Sequence, residues 1–228
     1  MSRLRALTVA TACATTVLSA CASTVEGTAH LAAGAASKNV TADAFDALLL
    51  SPGDAAAAAG TPTLSLDGDS TDPAQAQSLS DASCSGAGWV LLNDVYHGTG
   101  YLQVHWGRWS APKPTYLMVF QGIARYPTSL KANDFLTQST KKWTECAGKS
   151  VSRQFSDGSD VVTLGTPAVQ DGMVTTVNLF EGGGGSGCSH SLTVKANVVI
   201  EAMACTDTNL TPQRSQAVAT AIADRVQL

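Results

Sequence analysis

The sequence is poor in charge. Aspartate, glutamate, lysine and arginine make up 14% of its 228 residues, against about a quarter in an average soluble domain. The basic residues are scattered and the net charge is −4, which loss of Arg3 and Arg5 with an N-terminal leader would lower by two. Nucleic acid is disfavoured as a partner, because phosphate contacts need a concentrated basic face. Beyond the first twenty residues no uncharged apolar run reaches the length of about 18 that a membrane-spanning helix requires. The hydrophobic share of 44% in turn excludes a disordered acidic chain.

Catalytic motifs are also missing. Gly184-Gly185-Ser186-Gly187-Cys188 fails the last position of an esterase nucleophile elbow. Ser139-Thr140-Lys141-Lys142 fits the short Ser-x-x-Lys pattern of penicillin-binding enzymes, but neither Ser-Asp-Asn nor Lys-Thr-Gly accompanies it, so it reads as a solvated helix face. The glycine run lacks the Gly-Lys-Ser/Thr that cradles phosphate. His97, His105 and His190 show no spacing that gathers them with a carboxylate such as Asp94, and His30 lies in a polar linker. No catalytic residue, metal ligand or cofactor is therefore expected.

What the chain does carry begins at its N-terminus. Arg3 and Arg5 precede the uncharged stretch Ala6 to Ala20, the layout of a secretory signal peptide. Leu18-Ser19-Ala20-Cys21 looks like the lipobox of bacterial lipoproteins, in which the cysteine thiol receives diacylglycerol before cleavage; the alternative is an ordinary leader cut after Ala20 with a free Cys21. Cys13 would be lost with the leader. Residues 1–20 are thus expected to be a signal peptide, 21–40 a tether rich in Ala, Ser, Thr and Gly, and 41–228 one folded domain.

Four cysteines remain in that domain: Cys84, Cys146, Cys188 and Cys205. Export favours disulfides. The last two are equidistant from the Ala196-Asn197 junction between two β-rich runs, so a hairpin centred there sets them directly opposite each other, within bridging reach. Cys84 is left to pair with Cys146. A zinc site would need pairs two to four residues apart, and none occurs.

Patterning predicts a short helix from Thr41 to Leu50, and a second opened by Ser51-Pro52 and closed by Gly60. Residues 61–83 read as irregular. Tyr116 to Tyr126 is the strongest strand, and Ala132, Phe135, Leu136, Ser139, Trp143 and Cys146 then follow on one helical stripe. Strands are predicted at Val151–Phe155, Val161–Leu164 and Met173–Phe180, with turns at Asp157-Gly158 and Asp171-Gly172. After a glycine loop and the cysteine hairpin, Thr211 and Pro212 open a last helix carrying Val218, Ile222 and Val226. The fold class is α+β: a twisted antiparallel sheet with packed helices and two disulfides.

Several of these elements together resemble a known family. They are Leu48-Leu49-Leu50-Ser51, the strand leading into Ala132 to Phe135 and then Trp143-Thr144-Glu145-Cys146, and the ending Asn197 to Cys205 with its capped helix. The resemblance is to the extracellular sensor domain of mycobacterial PknH kinases, a domain also found alone in lipoproteins of the Lpp and Lpq type. It covers roughly Thr41 to Leu228. It implies the same disulfide pairing, and a cleft for an unidentified ligand. With no kinase signature in the sequence, a binding or accessory role is what carries over.

The function expected is a lipid-anchored sensor or ligand-binding module without catalytic activity, at the extracytoplasmic face of the cell membrane. A structural envelope lipoprotein is the alternative, and an envelope hydrolase a third reading. The partners expected are the membrane through Cys21, a small amphipathic or lipid ligand, and an envelope protein. The aromatic residues Trp89, Tyr96, Tyr101, Trp106, Trp109 and Tyr116 either build the core or line a ligand cleft, and the cleft candidates are Tyr101, Trp106 and Trp109, because Gly107 and Pro112 interrupt a regular buried strand there.

Overall fold

The computed structural model describes residues 39–75, 79–155 and 158–226. Cys21, the leader and nearly all of the tether lie outside the described residues, as does Asp157 of the expected turn. The described residues open with α1 (Ala42–Phe45) and a single 3-10 turn (Asp46–Leu48). In α2 (Pro52–Ala59), Ser51 Oγ accepts the Asp54 N–H, and Gly60 ends the helix at φ 67°. Then follow β1 (Ser65–Ser70), α3 (Ser85–Gly88), α4 (Asn93–Tyr96), β2 (Gln103–Ser110) and β3 (Leu117–Arg125). The long α5 (Ser129–Cys146) starts at Thr128, whose hydroxyl accepts the Lys131 N–H. The second half comprises β4 (Ser150–Phe155), β5 (Gly158–Thr163), β6 (Ala168–Gln170), β7 (Met173–Phe180), β8 (Gly187–Lys195), β9 (Val198–Thr206) and α6 (Gln213–Ala223).

Among the described residues the strands form one antiparallel sheet in the order β1-β2-β3-β9-β8-β7-β5-β4, with β6 beside β7. α5 packs on one face, while α2 and α6 cover the other. The central strand β9 is accordingly buried at every position. A strand covered on both sides has no polar face and shows no alternation. Two buried amides fasten the N-terminal segment to this sheet. Gln121 donates to the Leu50 carbonyl and accepts the Leu50 N–H, at 2.8 and 2.9 Å, and Asn197 Oδ1 accepts the Val40 N–H at 2.7 Å.

Both disulfides are present in the expected pairing. Cys188 stands opposite Cys205 in the β8–β9 register, with Cα atoms 3.9 Å apart. Cys84 joins Cys146, tying the start of α3 to the end of α5.

Two expectations need correction. Residues 65–70 form β1, although Ser-Leu-Asp-Gly-Asp-Ser has no strand pattern; pairing with β2 overrides its weak propensity. The ladder slips between Leu66 and Gly68, leaving Asp67 as a bulge. At the far end of the strand order, β4 is met by Leu79 and Ser80, which bridge to Arg153 and Ser152. Secondly, Gly107 does not interrupt β2, which is regular to Ser110. Its missing side chain makes room for the Trp109 indole, which a Cβ at 107 would meet at 2.0 Å. Trp109 is therefore 4% exposed and belongs to the core beneath α2 and α6, not to a cleft.

Trp109→Ala should cost about 3–5 kcal/mol of unfolding free energy in a urea titration, the usual loss for a packed tryptophan. Of the two disulfides, Cys84–Cys146 spans 62 residues and Cys188–Cys205 spans 17. In the chain-entropy account, replacing the first pair by serine should therefore destabilise by about 1 kcal/mol more than replacing the second. Calorimetric melting of the two double variants compares them directly.

Candidate ligand-binding cleft

Antiparallel pairing sets Arg108 opposite Phe120 and Trp106 opposite Gly122. Alternation then places Trp106, Arg108 and Phe120 on the same face of the sheet. The segment Trp89-Val90, between α3 and α4, lies over that face, and Ala74 and Gln75 close one side. Together these residues enclose a cavity of about 190 Å³. Trp89 meets Phe120 edge-on, with ring centroids 4.8 Å apart. Arg153 lies 5.5 Å from the centre of the Trp89 ring and is held by Asp160 through bonds of 2.8 and 2.5 Å. Trp106 donates its indole N–H to the Asp72 carbonyl at 2.8 Å, fixing the loop beside the cavity.

Of the three aromatic residues singled out from the sequence, the structure brings only Trp106 to the cavity. Trp109 is three positions further along β2 and so points to the opposite face. Tyr101 precedes the strand and packs edge-on against Tyr96, at 6.1 Å between centroids. Arg108 and Phe120 escaped notice because their proximity depends on the β2–β3 register, although Val104-Trp106-Arg108 has the period of two from which it follows.

The cleft wall depends on a buried carboxylate. Glu201, in the middle of β9, is 3% exposed. It accepts the Leu91 N–H at 3.2 Å and the Tyr96 hydroxyl, and it faces His190 Nε2 at 3.0 Å. Leu91 adopts φ 47°, a left-handed conformation rare for a residue with a side chain. It is held there by Glu201 and by its carbonyl, which accepts the Ala74 N–H at 2.9 Å. Its side chain lies over Gly122, where a Cβ would stand 2.1 Å from Leu91 Cδ1. Glu201 is thus a positioning residue: through Leu91 it sets Val90 and Ala74 around the cavity. The sequence did contain a signal for it, a single charge inside the apolar run Val198 to Ala204. The three histidines lie apart. His190 meets Glu201, His105 bridges Asp46 and Asp69 at 3.0 and 3.1 Å, and His97 is exposed after α4.

Burial, followed by the Glu201 charge, raises the Tyr96 phenol well above its ordinary value of 10.0. A raised value in the folded state means stability that is complete below the unfolded value and is lost as the pH climbs past it. The unfolding free energy of wild type should therefore fall more steeply above about pH 10 than that of Tyr96→Phe. Parallel pH profiles in denaturant titrations would place Tyr96 in water.

Comparison with known proteins agrees with this architecture. The family profile described as PknH-like extracellular domain matches residues 40–226. The serine/threonine-protein kinase PknH of Mycobacterium bovis is 30% identical over 168 residues, covering 73% of this chain and 27% of the kinase. PknH of Mycobacterium tuberculosis gives the same identity over the same length, 26% of that protein. The chain thus spans about a quarter of the length of these relatives. The crystal structure of the extracellular domain of PknH from Mycobacterium tuberculosis superposes with a TM-score of 0.77 at 29% identity, covering 83% of this chain and 98% of that domain. Among the described residues no helix is long and apolar enough to cross a membrane. On the match of nearly the whole folded region, the chain belongs to the PknH-like extracellular domain family.

Proposed function

We propose that this protein is a sensor or ligand-binding module held at the extracytoplasmic face of the membrane by a lipid on Cys21, and that it works by binding rather than by catalysis. The observation that carries the reading is the aromatic cavity between Trp89, Trp106 and Phe120. It is concave, already built, and lined by side chains that combine an apolar body with few polar tips, as ligand sites are. The ligand is apolar or amphipathic, and the segment that enters is short. A volume of about 190 Å³ holds about six heavy atoms if each takes the space of one liquid water. The kinship with PknH extracellular domains supports a signalling context, and the motif Leu18-Ser19-Ala20-Cys21 supports the anchor. Two or three acyl chains on one cysteine give durable attachment, where a single chain binds only marginally.

Two measurements test the reading. Cys21→Ala should move the protein from the detergent-extracted membrane fraction to the soluble one, and unchanged membrane association would refute lipid anchoring. Trp106→Ala should weaken binding of extracted envelope lipids about tenfold, equal to about 1.4 kcal/mol. It should destabilise the fold less than Trp109→Ala does. Unaltered lipid binding by Trp106→Ala would remove this cleft as the site.

A further inference from the structure

Arg108 is unlike the other residues around the cavity. Its Nε is enclosed by protein and has no hydrogen-bond acceptor among the described residues. The nearest carboxylate oxygen, Asp67 Oδ2, is 4.0 Å away, beyond bonding distance, and already accepts the Ser110 hydroxyl. Asp67 occupies that place because it is the bulged residue of β1. The side chain as a whole remains 43% exposed, so the guanidinium reaches from the cavity wall toward solvent. A guanidinium presents five donors in a planar fork suited to carboxylate or phosphate oxygens. Here that fork borders a cavity whose other walls are the aromatic Trp89, Trp106 and Phe120, with Val90, Ala74 and Gln75.

Resting on the cleft reading above, we propose that the ligand is an anionic amphipath. A short apolar segment occupies the aromatic cavity, and a carboxylate or phosphate head is bound by Arg108 at its mouth. Neither half suffices. Arg108 is the one charged side chain lining the cavity among the described residues, and Asp67 partly offsets it, while an uncharged chain leaves the guanidinium fork unused. Held together, the two parts of one molecule satisfy both, and a hydrogen bond from a guanidinium to an anionic oxygen is stronger than one between neutral groups.

The test uses the full chain carrying Cys21→Ala, so that the protein's own acyl chains do not compete. It is titrated by calorimetry with decanoate, decanol and acetate at concentrations below micelle formation. Decanoate should bind about tenfold or more tighter than decanol, the range expected for a charge-assisted hydrogen bond. Acetate should not saturate. Arg108→Gln should bring decanoate down to about the affinity of decanol, with a much smaller change for decanol itself. Arg108→Lys should retain part of the preference, which a purely packing role for Arg108 would not produce. Melting curves close to wild type for both variants establish that the fold is intact. Equal binding of decanoate and decanol, with both lost in Trp106→Ala, would overturn the anionic assignment and leave the cleft reading standing. Failure of both to bind would overturn the two together. Acetate binding as tightly as decanoate would mark a site for free anions and overturn the amphipath.

Discussion

A carboxylate cannot be taken into the middle of a β-sheet without partners, and much of this fold follows from how Glu201 obtains them. Its two oxygens accept from Leu91 and Tyr96 and face His190. The cost of leaving such a group unpaired is several kcal/mol. The segment from α3 to α4 is therefore drawn down onto the sheet, although its own helices are four residues each. The left-handed Leu91, the absent side chain at Gly122, and the bond from Asn178 to the Ala87 carbonyl at 2.8 Å belong to the same arrangement. Without it the cleft would have a floor, formed by β2 and β3, and no wall.

The two faces of the sheet divide the work. Under α2 and α6 the packing is apolar, with Phe45, Trp109, Ile200 and Ile222 all buried. Beneath α5 the core includes the polar group around Glu201, both disulfides and the half-buried Trp89 and Trp106. The Cys84–Cys146 bridge lies where α3 meets α5, so the element carrying the cleft wall is covalently tied to the longest helix. The cleft side of the sheet thus holds both disulfides and the buried Glu201 group, which together restrain the shape of the cavity.

Much of this was legible in the sequence for physical reasons. The stripe on α5, the Ser51-Pro52 and Gly60 boundaries of α2, and the mirrored cysteines of the β8–β9 hairpin all depend on local geometry, and each is found as expected. The start of α6 lies at Gln213, one residue past the Pro212 expected to open it. What depended on distant pairing was not legible. β1 has no pattern of its own and exists because β2 offers an edge. Trp106 and Trp109 read as one aromatic loop until the strand between them assigns them to opposite faces. Gly107, taken for a break, is instead the seat of an indole. Arg108 and Phe120 become neighbours only through the β2–β3 register.

The edges of the sheet bear on how such a protein behaves in a crowd. Proteins tethered to one surface meet at high local concentration, and an open strand edge is the usual template for unwanted joining of sheets. Here β1 carries two carboxylates and a bulge, and β4 is covered by the Leu79–Ser80 segment of the same chain. Among the described residues, neither β1 nor β4 offers a neighbouring copy a long, flat row of free backbone groups, and β6, beside β7, is three residues long. Close packing of copies would then leave each domain separate, with its cleft unobstructed by sheet-to-sheet association.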